Sequence, residues 1–117
     1  MKEKFGTLTK LIALAILLLG FSDRMPMATG EEWVKIYDGP GNGHDDVYWM
    51  VLDSSGNVYV TGGSSGLGTG LDMVTIKYDP NGVQKWVRRY NGPGNGDDEA
   101  YAIALDGSGN VYVAGYS

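Results

Sequence analysis

The stretch that decides the fold is residues 33–64, WVKIYDGPGNGHDDVYWMVLDSSGNVYVTGGS, because the chain repeats it. Residues 86–117 read WVRRYNGPGNGDDEAYAIALDGSGNVYVAGYS, without a gap and with 20 of 32 positions identical. The copies begin at Trp33 and Trp86, so the period is 53 residues. A period of this size made of short strands is typical of stacked copies of one sheet, as in propeller blades.

After residue 30 the sequence predicts β-strands alone. Runs rich in Val, Ile, Tyr and Trp alternate with clusters of Gly, Asn, Asp and Ser, without helical periodicity of useful length. One period holds four strands, which is the count of an antiparallel propeller blade. The predicted strands are 33–37, 47–52, 58–61, 73–78, 84–90, 100–105 and 111–114.

The turns fix where the strands meet. DSSGN at 53–57, DGSGN at 106–110 and DPNG at 79–82 are hairpin sequences, since Gly and Asn tolerate positive φ and a leading Asp accepts backbone N–H bonds. The glycine-rich stretch 63–71 is predicted to be a loose surface loop.

Alternation along the strands predicts which side chains share a face. In 73–78, Val74, Ile76 and Tyr78 fall on one face. In 100–105, simple alternation places Tyr101 and Ile103 together, opposite three small alanines.

The first thirty residues form a separate unit. Three lysines precede an apolar run at 11–21, which is too short for a comfortable membrane span and suits a signal peptide. Small residues favour a cut after Ser22, which makes 1–22 the signal peptide and 23–32 a linker, or after Gly30. The alternative is an uncleaved N-terminal anchor. We expect an exported protein, located in the medium, at the cell surface or in the periplasm.

Charge and cysteine content narrow the class further. Without residues 1–22 the net charge is −7, and the clustered basic face that nucleic-acid binding needs is missing. Lys85, Arg88 and Arg89 are predicted to form a solvated strand face. With no cysteine, stability must come from packing or from bound ions.

The repeated phrase identifies a family resemblance. LDSSGNVYVTG at 52–62 and LDGSGNVYVAG at 105–115, with DMVTIKYDPNGVQKWVRRYNG at 72–92 between them, resemble the SBBP family of β-propeller repeats. The resemblance covers residues 32–117 and implies a propeller fold and an extracytoplasmic location in bacterial or archaeal proteins. The family has no agreed activity or catalytic residues, so it implies none here.

Two acidic glycine loops, GPGNGHDD at 39–46 and GPGNGDDE at 92–99, are the candidate site. Carboxylates and carbonyls on a loop are ligands for calcium, the one cofactor this sequence suggests. The alternative, which we favour, is that these residues shape turns and keep the strand ends soluble. The candidate residues are Asn42, Asp45, Asp46, Asn95, Asp97, Asp98 and Glu99.

Other chemistries find no support in the sequence. His44 is the only histidine and is predicted to be an exposed loop residue without a nucleophile to serve. The serines at 54, 55 and 108 lie in turns outside any G-x-S-x-G context. The glycines of 62–70 are not followed by the Lys-Ser/Thr of a phosphate loop.

We therefore expect an all-β chain whose residues 33–117 form an incomplete β-propeller of fewer than two full four-stranded blades. The expected role is an extracytoplasmic structural or binding module, the N-terminal fragment of a longer protein, and an enzyme is disfavoured. One alternative is part of a propeller hydrolase or lyase whose site lies in other blades; another is a calcium-stabilised adhesion module. Expected partners are further blades or copies of the same chain, and an extracellular protein or carbohydrate.

Overall fold

The computed structural model describes residues 11–14 and 33–117, and every regular element in those ranges is a β-strand. The expected all-β class is confirmed. No helix in the described part of the chain is long and apolar enough to cross a membrane. The strands are Leu11–Leu14 (β1), Val34–Tyr37 (β2), Asp45–Leu52 (β3), Val58–Ser65 (β4), Leu71–Tyr78 (β5), Gln84–Tyr90 (β6), Glu99–Leu105 (β7) and Val111–Tyr116 (β8).

The strands form three antiparallel sheets. The N-terminal sheet pairs β1 with β2, the central sheet has the order β3-β4-β5-β6, and the C-terminal sheet pairs β7 with β8. Strand β1 falls within the predicted signal peptide. The rest of that segment and the 23–32 linker lie outside the described residues, so the signal peptide stays a prediction.

The turn after β3 forms around one carboxylate, as its sequence predicts. One oxygen of Asp53 accepts the backbone N–H groups of Ser55 and Asn57, each at 2.9 Å. The other accepts the Asn57 side-chain amide at 2.7 Å and the Tyr59 hydroxyl at 3.1 Å. Gly56 takes the left-handed conformation there, with φ of 80°.

The turn after β7 repeats this arrangement around Asp106. Its carboxylate accepts the backbone N–H groups of Ser108 and Asn110 and the side-chain groups of Asn110 and Tyr112. The hydrogen bonds from Asn110 lower the pKa of Asp106 to about 2.

The core lies on one face of the central sheet. Val58, Val60, Val74, Ile76 and Tyr78 pack there and expose 2% of their surface or less. The predicted shared face of β5 is confirmed. Burying side chains of this size contributes roughly 1.5–3 kcal/mol each, so this cluster accounts for much of the stability of the sheet.

The two smaller sheets lie on opposite faces of the central sheet. Trp33, which precedes β2, and Tyr37, its last residue, both pack against the core cluster, on the face that carries Val60. On β4, a Cβ added to Gly63 would lie 3.4 Å from the Glu99 side chain of β7. Residues 60 and 63 point to opposite faces of a strand, so β2 and β7 cover different sides.

Two expectations about the strands are wrong. The register shifts between Ala100 and Ala102, so Tyr101 is an extra, bulged residue and simple alternation fails in β7. Ala100 and Ile103 are the buried residues of this strand, whereas Tyr101 is half exposed. The predicted loop at 63–71 is also shorter, because β4 continues to Ser65 and β5 begins at Leu71.

Candidate functional site

The first glycine loop closes on a buried carboxylate. Asp45 is 1% exposed, and one of its oxygens accepts the backbone N–H of Gly39 at 3.1 Å. Its other oxygen accepts the hydroxyl of Ser64, near the end of β4. Backbone bonds between Gly41 and Ser65 and between Ser65 and His44 hold the loop along that strand. Both Asp45 oxygens therefore have donors from the protein.

The second loop repeats this contact. Asp98, 53 residues after Asp45, is also 1% exposed and accepts the backbone N–H of Gly92 at 2.7 Å. A Cβ added to Gly92 would overlap the Ser117 hydroxyl and lie 2.8 Å from an Asp98 oxygen, so the same three residue types meet here. The backbone N–H of Asp98 donates to the Leu71 carbonyl at 2.6 Å, which links this loop to β5.

The two asparagines shape the loop backbone. Asn42 and Asn95 both adopt φ of 50°, and they are the non-glycine residues with positive φ in the described part of the chain. Asparagine tolerates this left-handed conformation better than most residues. The side chain of Asn95 accepts a hydrogen bond from Asn91 at 2.7 Å. These positions therefore follow the turn-forming interpretation.

Asp97 and Glu99 have separate partners, whereas Asp46 lies half-buried in β3, opposite Gly63 of β4. Asp97 accepts the backbone N–H of Leu71 at 2.9 Å. Glu99 accepts the hydroxyls of Tyr101 at 2.9 Å and Tyr116 at 3.1 Å. Within residues 11–14 and 33–117, no group of three or more His, Asp or Glu side chains is placed to hold a metal ion. His44 is exposed on the first loop, as expected.

Calcium is expected to leave the stability of the chain unchanged, because the protein's own N–H and O–H groups already donate to the carboxylates of Asp45, Asp97, Asp98 and Glu99. The measurement is the melting temperature in millimolar calcium and in excess chelator. At a free calcium concentration a hundred times the dissociation constant, a calcium site would add about 2.7 kcal/mol to the free energy of unfolding. A calcium-dependent rise of several degrees, removed by chelator, would restore the metal interpretation.

Arg89, which was predicted to be solvated, forms hydrogen bonds to three other strands. Arg89 of β6 donates to the Ser64 hydroxyl at 2.7 Å, to the Ser64 carbonyl at 2.9 Å and to Asp72 of β5 at 3.0 Å. It also donates to the Tyr37 hydroxyl of β2 at 3.2 Å. Its side chain is 22% exposed, so the solvated face predicted for it is wrong.

The environment of Arg89 keeps it charged. Burial alone lowers the pKa of its guanidinium, but the hydrogen bonds to Asp72 and Tyr37 outweigh burial and raise it. Since Ser64 accepts from Arg89 and donates to Asp45, a continuous chain of hydrogen bonds runs from cation to carboxylate. This chain holds the first glycine loop to strands β2, β4, β5 and β6.

A cluster of three tyrosines around Glu99, here called the tyrosine cluster, lies between the central and C-terminal sheets. The rings of Tyr48 and Tyr101 are 5.3 Å apart and those of Tyr101 and Tyr116 are 5.7 Å apart. The three side chains remain between 37% and 49% exposed. The cluster therefore presents aromatic surface beside a carboxylate.

Glu99 changes the acidity of the cluster. Its hydrogen bond raises the pKa of Tyr101 to about 12. Burial, and then Glu99, raise the pKa of Tyr48. The sequence did contain a signal for this cluster: Tyr48 and Tyr101 stand at the same position of the two copies. Nothing in the sequence pattern predicted the β-bulges that bring these two tyrosines together.

A tryptophan locks the N-terminal sheet to the central sheet. The Trp33 indole N–H donates to the Pro80 carbonyl at 3.0 Å, and its ring lies 5.7 Å from that of Tyr78. A Cβ on Gly82 would lie 2.7 Å from the indole, so this turn has room for glycine alone. This packing joins the N-terminal sheet to the hairpin between β5 and β6 of the central sheet.

Antiparallel sheets packed face to face in repeated copies are found in β-propeller repeat proteins. Within that class, residues 85–117 match the SBBP family model, described as a beta-propeller repeat. The SBBP resemblance drawn from the motifs is thus confirmed over residues 85–117. No curated protein and no solved structure matches the chain.

Proposed function

We propose that the chain is an extracytoplasmic β-propeller repeat module with a structural or binding role. In support, the central sheet has the four antiparallel strands expected of a blade, and β7 and β8 repeat its first two strands 53 residues later. The observation that carries this proposal is the hydrogen bonding of the buried aspartates in the two glycine loops. In both copies, the equivalent aspartates Asp45 and Asp98 are buried and accept the backbone N–H of the first glycine of their own loop.

Repetition of a contact in both copies favours a scaffold over a catalytic centre. A catalytic site needs a few residues that converge on one place with a free reactive atom. The candidate loop residues instead lie apart, and five of them accept hydrogen bonds from the protein's own groups. We therefore place the calcium-stabilised adhesion module and the propeller enzyme behind a structural or binding role.

The tyrosine cluster supports the binding part of the proposal. Aromatic rings that stay partly exposed offer stacking surface, and Glu99 beside them offers a hydrogen-bond acceptor. Such a surface suits an extracellular protein or carbohydrate. The cluster lies where β3 packs against β7, and its third ring belongs to β8.

Export is tested by the N-terminus of the protein recovered outside the cytoplasm. We expect a bacterial host to remove the signal peptide, so the mature chain begins at Asp23 or Glu31. The measurement is N-terminal sequencing of the periplasmic or secreted fraction. Its control is a variant with Leu17→Arg in the apolar run, which should stay uncut in the cytoplasm. Wild-type chain that keeps residue 1 and stays inside the cell would contradict the proposal.

A further inference from the structure

Four of the six asparagines in the chain are followed directly by glycine. Asparagine is thermolabile, because the backbone nitrogen of the next residue can attack its side-chain amide. Glycine is the most permissive follower, since it has no side chain to restrict its backbone or to shield its nitrogen. The four pairs are Asn42-Gly43, Asn81-Gly82, Asn91-Gly92 and Asn95-Gly96.

The loss of the amide needs no reactant other than water. The glycine nitrogen gives up its proton to solvent and bonds to the asparagine Cγ, the Cγ–Nδ2 bond breaks, and the amide takes up a proton and leaves as ammonia. Water then opens the cyclic imide at one or the other of its carbonyls. The product is aspartate, or isoaspartate when the backbone is left running through the side-chain carboxyl. Nothing is oxidised or reduced in either step.

The fold holds two of the four glycine nitrogens. The Gly82 N–H donates to the Asp79 carbonyl at 2.9 Å, in the hairpin between β5 and β6. The Gly92 N–H donates to the Asp98 carboxylate at 2.7 Å. Both glycines are buried. Because the attacking nitrogen must lose its proton and turn toward the asparagine, attack at these pairs first requires the loss of this hydrogen bond.

The other two glycine nitrogens are exposed. Within residues 11–14 and 33–117, no hydrogen-bond acceptor receives the N–H groups of Gly43 and Gly96. Asn42 and Asn95 are exposed as well, so water reaches both the attacking nitrogen and the amide. The side chains of both asparagines project from a left-handed backbone, with φ of 50°. Attack at these pairs therefore does not require the loss of a hydrogen bond from the glycine.

This exposure does not depend on which sheet lies beside the loop. Backbone bonds with Ser65 hold the loop of Asn42 to β4 of its own sheet. Backbone groups of Leu71 hold the loop of Asn95 to the preceding, central sheet. Asn42 thus stays exposed beside its own sheet, and Asn95 stays exposed beside the sheet before it. The two copies together include both neighbours of such a loop.

We propose that Asn42 and Asn95 deamidate spontaneously in the folded protein, whereas the fold protects Asn81 and Asn91. The two reactive residues occupy the same position of the two copies, 53 residues apart, so each copy carries one modification site. The inference does not depend on the structural or binding role proposed above, because the reaction uses the loop backbone and solvent alone.

Deamidation changes the loops that cover the buried aspartates. Each reactive asparagine lies between a glycine and the aspartate that accepts the N–H of that glycine, Asp45 in the first copy and Asp98 in the second. Aspartate at this position adds a negative charge to a loop that is already acidic. Isoaspartate lengthens the loop backbone by a methylene group. The modification therefore alters the exposed loop and leaves the core of the central sheet unchanged.

The test is to age the natural full-length chain at mildly alkaline pH and to follow the four asparagines by peptide mass spectrometry. Fragment spectra assign each gain in mass to one asparagine, and a sample taken at the start corrects for conversion during digestion. We expect Asn42 and Asn95 to convert at least about tenfold faster than Asn81 and Asn91, which is the rate difference that one hydrogen bond supports. Asn81 and Asn91 are matched controls, since each is also an Asn-Gly pair in the same molecule.

The same chain unfolded in guanidinium chloride shows whether the fold causes the difference. Unfolding removes the hydrogen bonds of Gly82 and Gly92, so the four asparagines should then convert at similar rates. In the folded chain, equal rates at the four residues, faster conversion at Asn81 or Asn91, or no conversion at Asn42 or Asn95 would overturn the inference. A difference that persists in the unfolded chain would overturn it too, because the flanking sequence would then be the cause.

Discussion

Gly62→Ala is expected to destabilise the chain by about 3–5 kcal/mol, which is a large share of the stability of a small domain. A Cβ at this position would overlap the carbonyl oxygen of Asp46 and lie 2.9 Å from its carbonyl carbon. The neighbour is backbone within the β3–β4 pair, so no side chain can rotate away. Relief would require moving the strand and breaking its hydrogen bonds.

The clash follows from the bulge that places Tyr48. Val47 pairs with Gly62 and Trp49 pairs with Thr61, so Tyr48 is the extra residue between them. The bulge bends β3 over β4, and glycine leaves room for the closer backbone. Gly115, opposite the bulged Tyr101, meets the Glu99 carbonyl in the same way. Glycine and bulge therefore act together to direct both tyrosines into their cluster.

The measurement is urea unfolding followed by circular dichroism, with Gly107→Ala as the control. A Cβ on Gly107 meets nothing within 4 Å, and the first copy has Ser54 at this position. The control should stay within about 0.5 kcal/mol of the natural chain. If both variants unfold at the same urea concentration, with the same slope, the close approach of Asp46 to Gly62 is wrong.

Local chemistry explains why the strands could be predicted from the sequence. All seven strands expected after residue 30 are present, because each is bounded by turn residues whose preferences act over a short stretch of chain. Asp53 and Asp106 accept the same set of hydrogen bonds in the two copies. The buried face of β5 also followed from period-two alternation. Contacts between residues close together along the chain were therefore readable.

Contacts between residues far apart along the chain could not be predicted from the sequence. Alternation assumes one residue opposite one residue, and the bulges at Tyr48 and Tyr101 break that assumption. Arg89 gave no repeat signal either, since the equivalent residue 53 positions earlier is Ile36. Its partners lie 17, 25 and 52 residues away along the chain. A charged residue on a strand is predicted to be solvated, because its hydrogen-bond acceptors come near it only in the folded sheet.

Asp45→Ala is expected to cost about 3 kcal/mol, even though the sequence offered this residue as a metal ligand. The change leaves the buried N–H of Gly39 and the hydroxyl of Ser64 without their acceptor. It also removes the anion at the end of the hydrogen-bond chain that begins at Arg89. Buried donors without partners pay a desolvation cost that water no longer offsets.

Asp97→Ala is the matched control, because it makes the same truncation on the equivalent loop of the second copy. Asp97 is exposed and accepts one hydrogen bond, from the Leu71 backbone, so its loss should cost about 1 kcal/mol or less. Asp45→Asn separates charge from shape. Its amide keeps one acceptor oxygen but turns a donor toward Gly39 or Ser64, so we expect an intermediate loss.

The same urea experiment ranks the three variants, and the order distinguishes a structural aspartate from a surface ligand. A structural role gives the largest loss for Asp45→Ala, a smaller one for Asp45→Asn and the least for Asp97→Ala, with no dependence on calcium. High salt should leave this order unchanged, since screening acts mainly on exposed charges. If instead Asp45→Ala and Asp97→Ala unfold at the same urea concentration, the loop does not need the Asp45 carboxylate. That carboxylate would then be free to bind a ligand.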